Sequence, residues 1–291
     1  MTGDKVTIVE VGPRDGLQNE KRIVSTEDKL ALIELLAQAG FSRIEATAFV
    51  SPKWVPQMAD HDAVMRGIPR RSGLTLSALV PNEQGALAAI QAGARELAVF
   101  TSASETFAQK NINCSIAESL QRFRPVLALA AARDIAVRGY VSCAVECPYE
   151  GPIEPAAAQS VSARLLDLGC SEIAIADTIG RATPERVEPM LAEVLKAVPP
   201  RQLACHFHDT SGLALSNVDV ALGHGIRTFD SAIGGLGGCP YAPGAAGNLA
   251  TERLLEHLDR HGYAHGIDRD ALAGAQKMAQ SLMENRSVRE T

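Results

Sequence analysis

Leu168-Gly169-Cys170-Ser171-Glu172-Ile173-Ala174-Ile175 is the stretch that decides the fold. It reads as the end of a helical pattern, a glycine, then a short apolar run. Glycine is favoured just past a helix end, where the chain turns left-handed. The same shape stands at Ala39-Gly40-Phe41-Ser42-Arg43-Ile44-Glu45-Ala46 and at Ala92-Gly93-Ala94-Arg95-Glu96-Leu97-Ala98-Val99. It returns at His224-Gly225-Ile226-Arg227-Thr228-Phe229-Asp230-Ser231. The repeated unit is helix, glycine stop, strand, which builds a parallel sheet.

Working outward from these stops, strands are expected near 5–11, 42–47, 73–79, 95–100, 137–143, 171–176, 202–208 and 227–232. Helical patterns lie near 26–39, 56–66, 82–92, 115–134, 155–168, 183–197, 213–223 and 248–260. The first opens on Ser25-Thr26-Glu27-Asp28, an N-cap followed by early acids. The sixth opens on Thr183-Pro184, with proline where a first turn tolerates it. Alternating β/α units of this number predict a closed (β/α)8 TIM barrel, a single domain over 1–291, with an extra C-terminal helix from about residue 261. A doubly wound sheet is the weaker architecture, because no Gly-x-Gly-x-x-Gly follows the first strand and no P-loop is present.

Composition bounds the function classes. With 46% hydrophobic and 21% charged residues the chain is an ordinary soluble protein with a sizeable core. The net charge of −6 argues against nucleic-acid and anionic-membrane partners. No apolar run reaches the length of a membrane span. No signal or transit peptide is read at the N-terminus, so the expected compartment is the cytoplasm. Cysteines stand at 114, 143, 147, 170, 205 and 239 without a Cys-x-x-Cys pair, which suits reduced thiols. Cys143, Cys170 and Cys205 have apolar or small neighbours and are expected in the core.

The active site of such a barrel lies at the carboxyl ends of its strands. Polar residues collect there: Arg14, Asp15 and Gln18 after strand 1, Glu45 on strand 2, Asp177-Thr178 after strand 6, His206-Phe207-His208 on strand 7. His206 and His208 are two apart, so both imidazoles point to one side. Strands 1 and 7 are separated only by strand 8 in a closed barrel, which brings Asp15 near them. Asn248 follows strand 8 and offers an amide oxygen. One carboxylate, two imidazoles and one amide favour a six-coordinate Mg2+ or Mn2+. Arg14 either ties the rim together through Glu45 or Asp177 or aims a fixed charge at an oxygen that becomes anionic. Glu45 is placed to orient Arg14 or a metal-bound water, or is purely structural. Residues 234–248 hold six glycines, two prolines and Cys239. That composition suits a loop that moves between a few defined shapes and carries a thiol.

Beyond these residues, Val9–Glu20, Phe49–Met58, Lys110–Ser115, Arg138–Cys143 and Gly235–Tyr241 together resemble the 3-hydroxy-3-methylglutaryl-CoA lyase family. The likeness covers essentially the whole chain. It implies a TIM barrel, usually a homodimer, that uses Mg2+ or Mn2+ to split an acyl-CoA substrate into acetyl-CoA and acetoacetate. It also implies that Asp15, His206, His208 and Asn248 hold the metal, that Arg14 stabilises an enolate, and that Cys239 transfers a proton. Glu45 and Asp177 match the family's supporting acids. The chemistry is coherent with these residues, since retro-aldol cleavage needs a deprotonated tertiary hydroxyl and leaves a thioester enolate. His206 is the nearest proton acceptor, through its second nitrogen or a water. Two other readings remain at this point. One is a lyase for a longer-chain or citramalyl-CoA ester. The other is a condensing synthase of the same superfamily, disfavoured by the short region after the eighth helix.

Overall fold

A computed structural model describes residues 4–18, 20, 22–237 and 247–284. The strands are β1 (Thr7–Glu10), β2 (Arg43–Ala48), β3 (Thr75–Leu79), β4 (Glu96–Ser102), β5 (Ala136–Ser142), β6 (Glu146–Cys147), β7 (Gly151–Pro152), β8 (Glu172–Asp177), β9 (Leu203–Phe207) and β10 (Thr228–Ser231). The helices are α1 (Thr26–Gln38), α2 (His61–Gly67), α3 (Glu83–Ala92), α4 (Glu105–Ile112), α5 (Ile116–Ala131), α6 (Pro155–Leu168), α7 (Pro184–Val194), α8 (Ala214–Gly223), α9 (Thr251–Arg260) and α10 (Arg269–Glu284). Eight strands close a parallel barrel in the order β1-β10-β9-β8-β5-β4-β3-β2, and β6 with β7 forms a small antiparallel hairpin above it. The expected TIM barrel is therefore present.

The four glycine stops explain the repeat. Gly40, Gly93, Gly169 and Gly225 all have positive φ, between +82° and +113°. A side chain there would be strained, so each helix ends where its glycine stands. Aliphatic residues such as Leu32, Leu97, Val137, Ile173 and Leu203 are fully or almost fully buried in one continuous core. Burial of each contributes about 1.5–3 kcal/mol.

Three boundaries differ from the sequence reading. The expected helix at 56–66 is a short turn, Pro56–Met58, followed by α2. Asp60 is taken by Lys29 Nζ (2.6 Å) and Thr26 Oγ1 (2.8 Å), which sets the break. The last barrel helix begins at Thr251 rather than 248, because Asn248 pairs with His208 and Ala250 with Ala232 in β fashion. The extra helix begins at Arg269, where Asp268 Oδ1 accepts from the N–H groups of Asp270 (2.9 Å) and Ala271 (3.1 Å). α4 is an addition the sequence reading passed over; it is eight residues long and carries its own Ser104 N-cap. No helix among the described residues is long and apolar enough to cross a membrane.

The barrel lumen is polar. Arg43 of β2 bonds Glu96 of β4 (2.9 and 3.0 Å) and reaches across to Glu172 of β8 (2.9 and 3.1 Å). Arg138 of β5 pairs with Glu172 (2.9 Å) and with Asp230 of β10 (2.7 Å). The Arg43–Glu96, Arg43–Glu172 and Arg138–Asp230 contacts join strands that are not neighbours, so these side chains cross the lumen, while Arg138–Glu172 joins the adjacent β5 and β8. They set a charged floor beneath the carboxyl-end mouth.

Candidate active site

After β1 the chain makes a wide turn over Gly12–Gly16, in which the Gly16 N–H reaches the Val11 carbonyl at 3.1 Å. Such π-type turns recur at functional sites. Here the turn aims Arg14 and Asp15 at the mouth. Glu10 holds it: one carboxylate oxygen accepts from Gly12 N–H (2.8 Å) and Ile233 N–H (2.9 Å), the other from Thr251 Oγ1 (2.7 Å). Burial pushes the Glu10 carboxyl up to about 8. Glu10 thus ties the turn to the start of the glycine-rich segment, and the sequence reading missed it.

Arg14 is 6% exposed. Its guanidinium donates to Glu45 twice (2.7 and 3.1 Å) and to Asp15 once (2.6 Å). Three of its five N–H groups are used, so two remain for a bound oxygen. Of the two tie-points expected for Arg14, Glu45 is the one found. Tyr140 also donates to Glu45 (2.6 Å) and receives from Arg138 (3.0 Å). Burial opposes charge on Arg14, but Glu45 and Asp15 hold it cationic.

Asp15, His206 and His208 converge, each offering a ligand atom within 4.8 Å of the others. His206 Nδ1 donates to Asp230 Oδ2 at 3.0 Å, its partner at the same level of the neighbouring strand. His208 Nδ1 donates to the Asp177 carbonyl at 2.8 Å. Both rings therefore turn Nε2, with its lone pair, toward Asp15. Burial pushes Asp15 up, but the Arg14 guanidinium beside it, with the two imidazoles and the Asn248 hydrogen bond, outweighs it and holds the carboxyl well below the usual range. Burial and the charge on His206 push His208 down to about 4. Burial favours neutral His206, yet its bond to Asp230 and the Asp15 charge raise its affinity for a proton. Asn248 donates Nδ2–H to Asp15 (2.9 Å) and to the Leu236 carbonyl (3.1 Å). Among the described residues no hydrogen bond takes its Oδ1. An ionised carboxylate beside two imidazoles with free Nε2 atoms fits a divalent cation.

Two expectations change. Asp177 does not turn its carboxylate to the cluster. Its side chain accepts from the Ala182 (3.0 Å) and Arg181 (3.3 Å) N–H groups and caps the next turn; only its carbonyl meets His208. The second nitrogen of His206, suggested as a proton acceptor, already carries the proton it donates to Asp230. In the sequence Asp230 shows only as a strand residue. Its alternation with His206 across β9 and β10 was the available signal. Cys239 lies outside the described residues.

The cluster opens into a cavity of about 790 Å3. Gly237 sits on its wall with no room for a side chain, since a Cβ would lie 2.7 Å from Asn248 Nδ2. The cavity runs outward past Trp54, Lys110, Asn113 and Arg122. Trp54 is 85% exposed. Cys143, Cys170 and Cys205 are buried as expected, and burial pushes Cys170 up to about 12.

Comparison with known proteins is consistent with this geometry. The family described as HMGL-like matches residues 5–279. The chain belongs to the HMGL-like family. Among its members, the hydroxymethylglutaryl-CoA lyase of Pseudomonas mevalonii is 52% identical over 284 residues, spanning 97% of this chain and 94% of that one. The crystal structure of the HMG-CoA lyase from Brucella melitensis superposes with a TM-score of 0.95 at 54% identity, covering 97% of this chain and 99% of that one. An HMGL-like relative from Acinetobacter baumannii, an HMG-CoA lyase in complex with coenzyme A and 3-methylmalate, gives a TM-score of 0.92 at 40% identity, covering 100% of this chain and 98% of that one.

Proposed function

We propose that this protein cleaves 3-hydroxy-3-methylglutaryl-CoA to acetyl-CoA and acetoacetate, using a divalent cation, Mg2+ or Mn2+, at the mouth of its barrel. The convergence of Asp15, His206 and His208 beside the buried Arg14 carries this reading. High identity to hydroxymethylglutaryl-CoA lyases along nearly the whole chain supports it.

Asp15, His206 and His208 would hold the cation, with the Asn248 amide oxygen as a fourth donor. A bound divalent cation would lower the pKa of a coordinated tertiary hydroxyl and fix its orientation. The substrate O–H would lose its proton to a water at the mouth, its oxygen would become the ketone of acetoacetate, and the C2–C3 bonding pair would move onto the thioester as an enolate. The two unused N–H groups of Arg14 are placed to stabilise that enolate oxygen, while Glu45 and Tyr140 keep the guanidinium planar to the site. His206 presents Nε2 to the mouth, where it can bind a cation or take a proton, but not both at once. Protonation of the enolate carbon falls to Cys239, on the strength of its sequence setting. Asp177 acts through its carbonyl, which orients His208. The acyl-CoA arm would run outward past Trp54, with Lys110 and Arg122 as cations for its phosphates. The five described cysteines are free thiols, which suits the reducing cytoplasm. A homodimer is the assembly the family likeness favours.

The test is release of acetyl-CoA from a panel of 3-hydroxyacyl-CoA esters after chelation and after return of Mg2+ or Mn2+. Restored cleavage of the methylglutaryl ester in preference to longer-chain and citramalyl esters is expected. Full turnover in excess EDTA overturns the metal reading.

A further inference from the structure

Away from the mouth, a second group of metal-ligand side chains converges on the outer wall. Asp219 lies on α8, His257 on α9, and His261 at the end of α9. One ligand atom from each lies within 4.8 Å of the other two. His257 Nε2 donates to Asp219 Oδ1 at 2.6 Å, a proton that a bound metal would displace, and the rings of His257 and His261 stand 4.4 Å apart between centroids. The spacing of four residues places both imidazoles on one helix face. His257 is buried, whereas Asp219 and His261 are exposed, so the group opens to solvent. His261 Nδ1 contacts the His257 carbonyl at 2.8 Å. A carbonyl only accepts, so Nδ1 carries the proton and Nε2 keeps its lone pair. That is the arrangement in which a histidine binds a metal.

We propose that Asp219, His257 and His261 form a second metal site, for zinc, that staples α8 to α9. At the mouth, Asn248 and substrate oxygens extend the donor set toward six. On the outer wall two imidazoles and one carboxylate leave one corner of a tetrahedron for water, with ligand bonds of about 2.0–2.2 Å. Closing from the present separations needs only small movements of the exposed Asp219 and His261 side chains. The site would also fix the helix whose first residues hold the mouth: Thr251 bonds Glu10 (2.7 Å), and Glu252 accepts from Gly234 N–H (3.0 and 3.1 Å). This proposal does not depend on which ester the mouth cleaves.

The experiment counts zinc per chain after the metal-stripped full-length protein is dialysed against zinc in excess Mg2+. His261→Ala is expected to bind one zinc fewer than the wild type while keeping its Mg2+-supported turnover within twofold. Asp219→Asn, an exposed change that spares the core, should weaken that equivalent tenfold or more. At a zinc concentration about a hundredfold above its Kd the wild-type Tm should rise by roughly 5 °C, and that of His261→Ala should rise less. Equal zinc stoichiometry and affinity in all three proteins would overturn the proposal and leave the group as a hydrogen-bonded ion pair.

Discussion

At the floor of the barrel, Arg43 and Arg138 face Glu96, Glu172 and Asp230, and each of these charges is paired. At the mouth, Arg14 and Asp15 are paired too, but among the described residues no hydrogen bond takes two of the Arg14 N–H groups or the Nε2 atom of either histidine. The same residue types therefore do different things at the two ends. Charges that satisfy one another set the shape of the lumen. Charges left with spare bonding capacity at the carboxyl end are available to a ligand. The difference is one of unsatisfied valence, not of charge content.

The sharpest way to break this contrast is Asp15→Asn, which keeps size and removes the mouth's carboxylate charge. Turnover should fall roughly 10³-fold, with the melting temperature nearly unchanged. Steady-state kinetics with saturating Mn2+ reads the first and calorimetry the second; wild-type turnover would make Asp15 a structural residue. Arg43→Gln tests the other end. Its partners are largely buried, so breaking the floor should cost about 2–3 kcal/mol of stability after allowance for its partial exposure. Turnover below the transition should stay within twofold. A large loss of turnover in the folded variant would show that floor and mouth are one functional unit.

Asp230 sharpens the comparison because it belongs to both ends, bonding Arg138 with one oxygen and His206 with the other. Asp230→Asn keeps the shape, yet it loses the charge that fixes the His206 tautomer. Metal affinity at the mouth should fall about 10-fold to 100-fold, the usual scale for a ligand's outer partner. Isothermal titration with Mn2+ measures it, and unchanged affinity would place Asp230 with the floor alone.

How much of this was legible without coordinates follows the range of the interactions. Gly40, Gly93, Gly169 and Gly225 marked the barrel because a helix stop is a local event. Asp15, His206 and His208 could be brought together from strand alternation and the closure of a barrel. Asp230, Tyr140 and Arg138 show in sequence only as strand residues, since Arg138 meets Asp230 and Tyr140 meets Glu45 across the lumen, which depends on which strands face each other. Asp177 misled because a rim acid and a turn cap look alike in sequence. His257, His261 and Asp219 were invisible for the same reason as the lumen: α8 and α9 must first be packed side by side.

Glu10 breaks the simple contrast. It stands at the mouth but is bonded like the floor, accepting from Gly12, Ile233 and Thr251. Burial raises its carboxyl to about 8 from an ordinary value near 4.5. The folded state therefore holds a proton that the unfolded chain releases. Its contribution is fully present below about 4.5 and is lost as pH rises through about 8. Glu10→Gln mimics the protonated form, with the amide oxygen accepting from Gly12 and Ile233 and the amide N–H donating to Thr251. The variant should match the wild type near pH 5. Above that, the wild type should lose stability relative to it by up to about 1.4 kcal/mol per pH unit. Denaturant unfolding at several pH values between 5 and 8 measures the two slopes. Parallel slopes would mean that Glu10 is ionised in the fold. The turn carrying Arg14 and Asp15 would then be held by a charge, as the floor is, rather than by a neutral hydrogen-bonded hub.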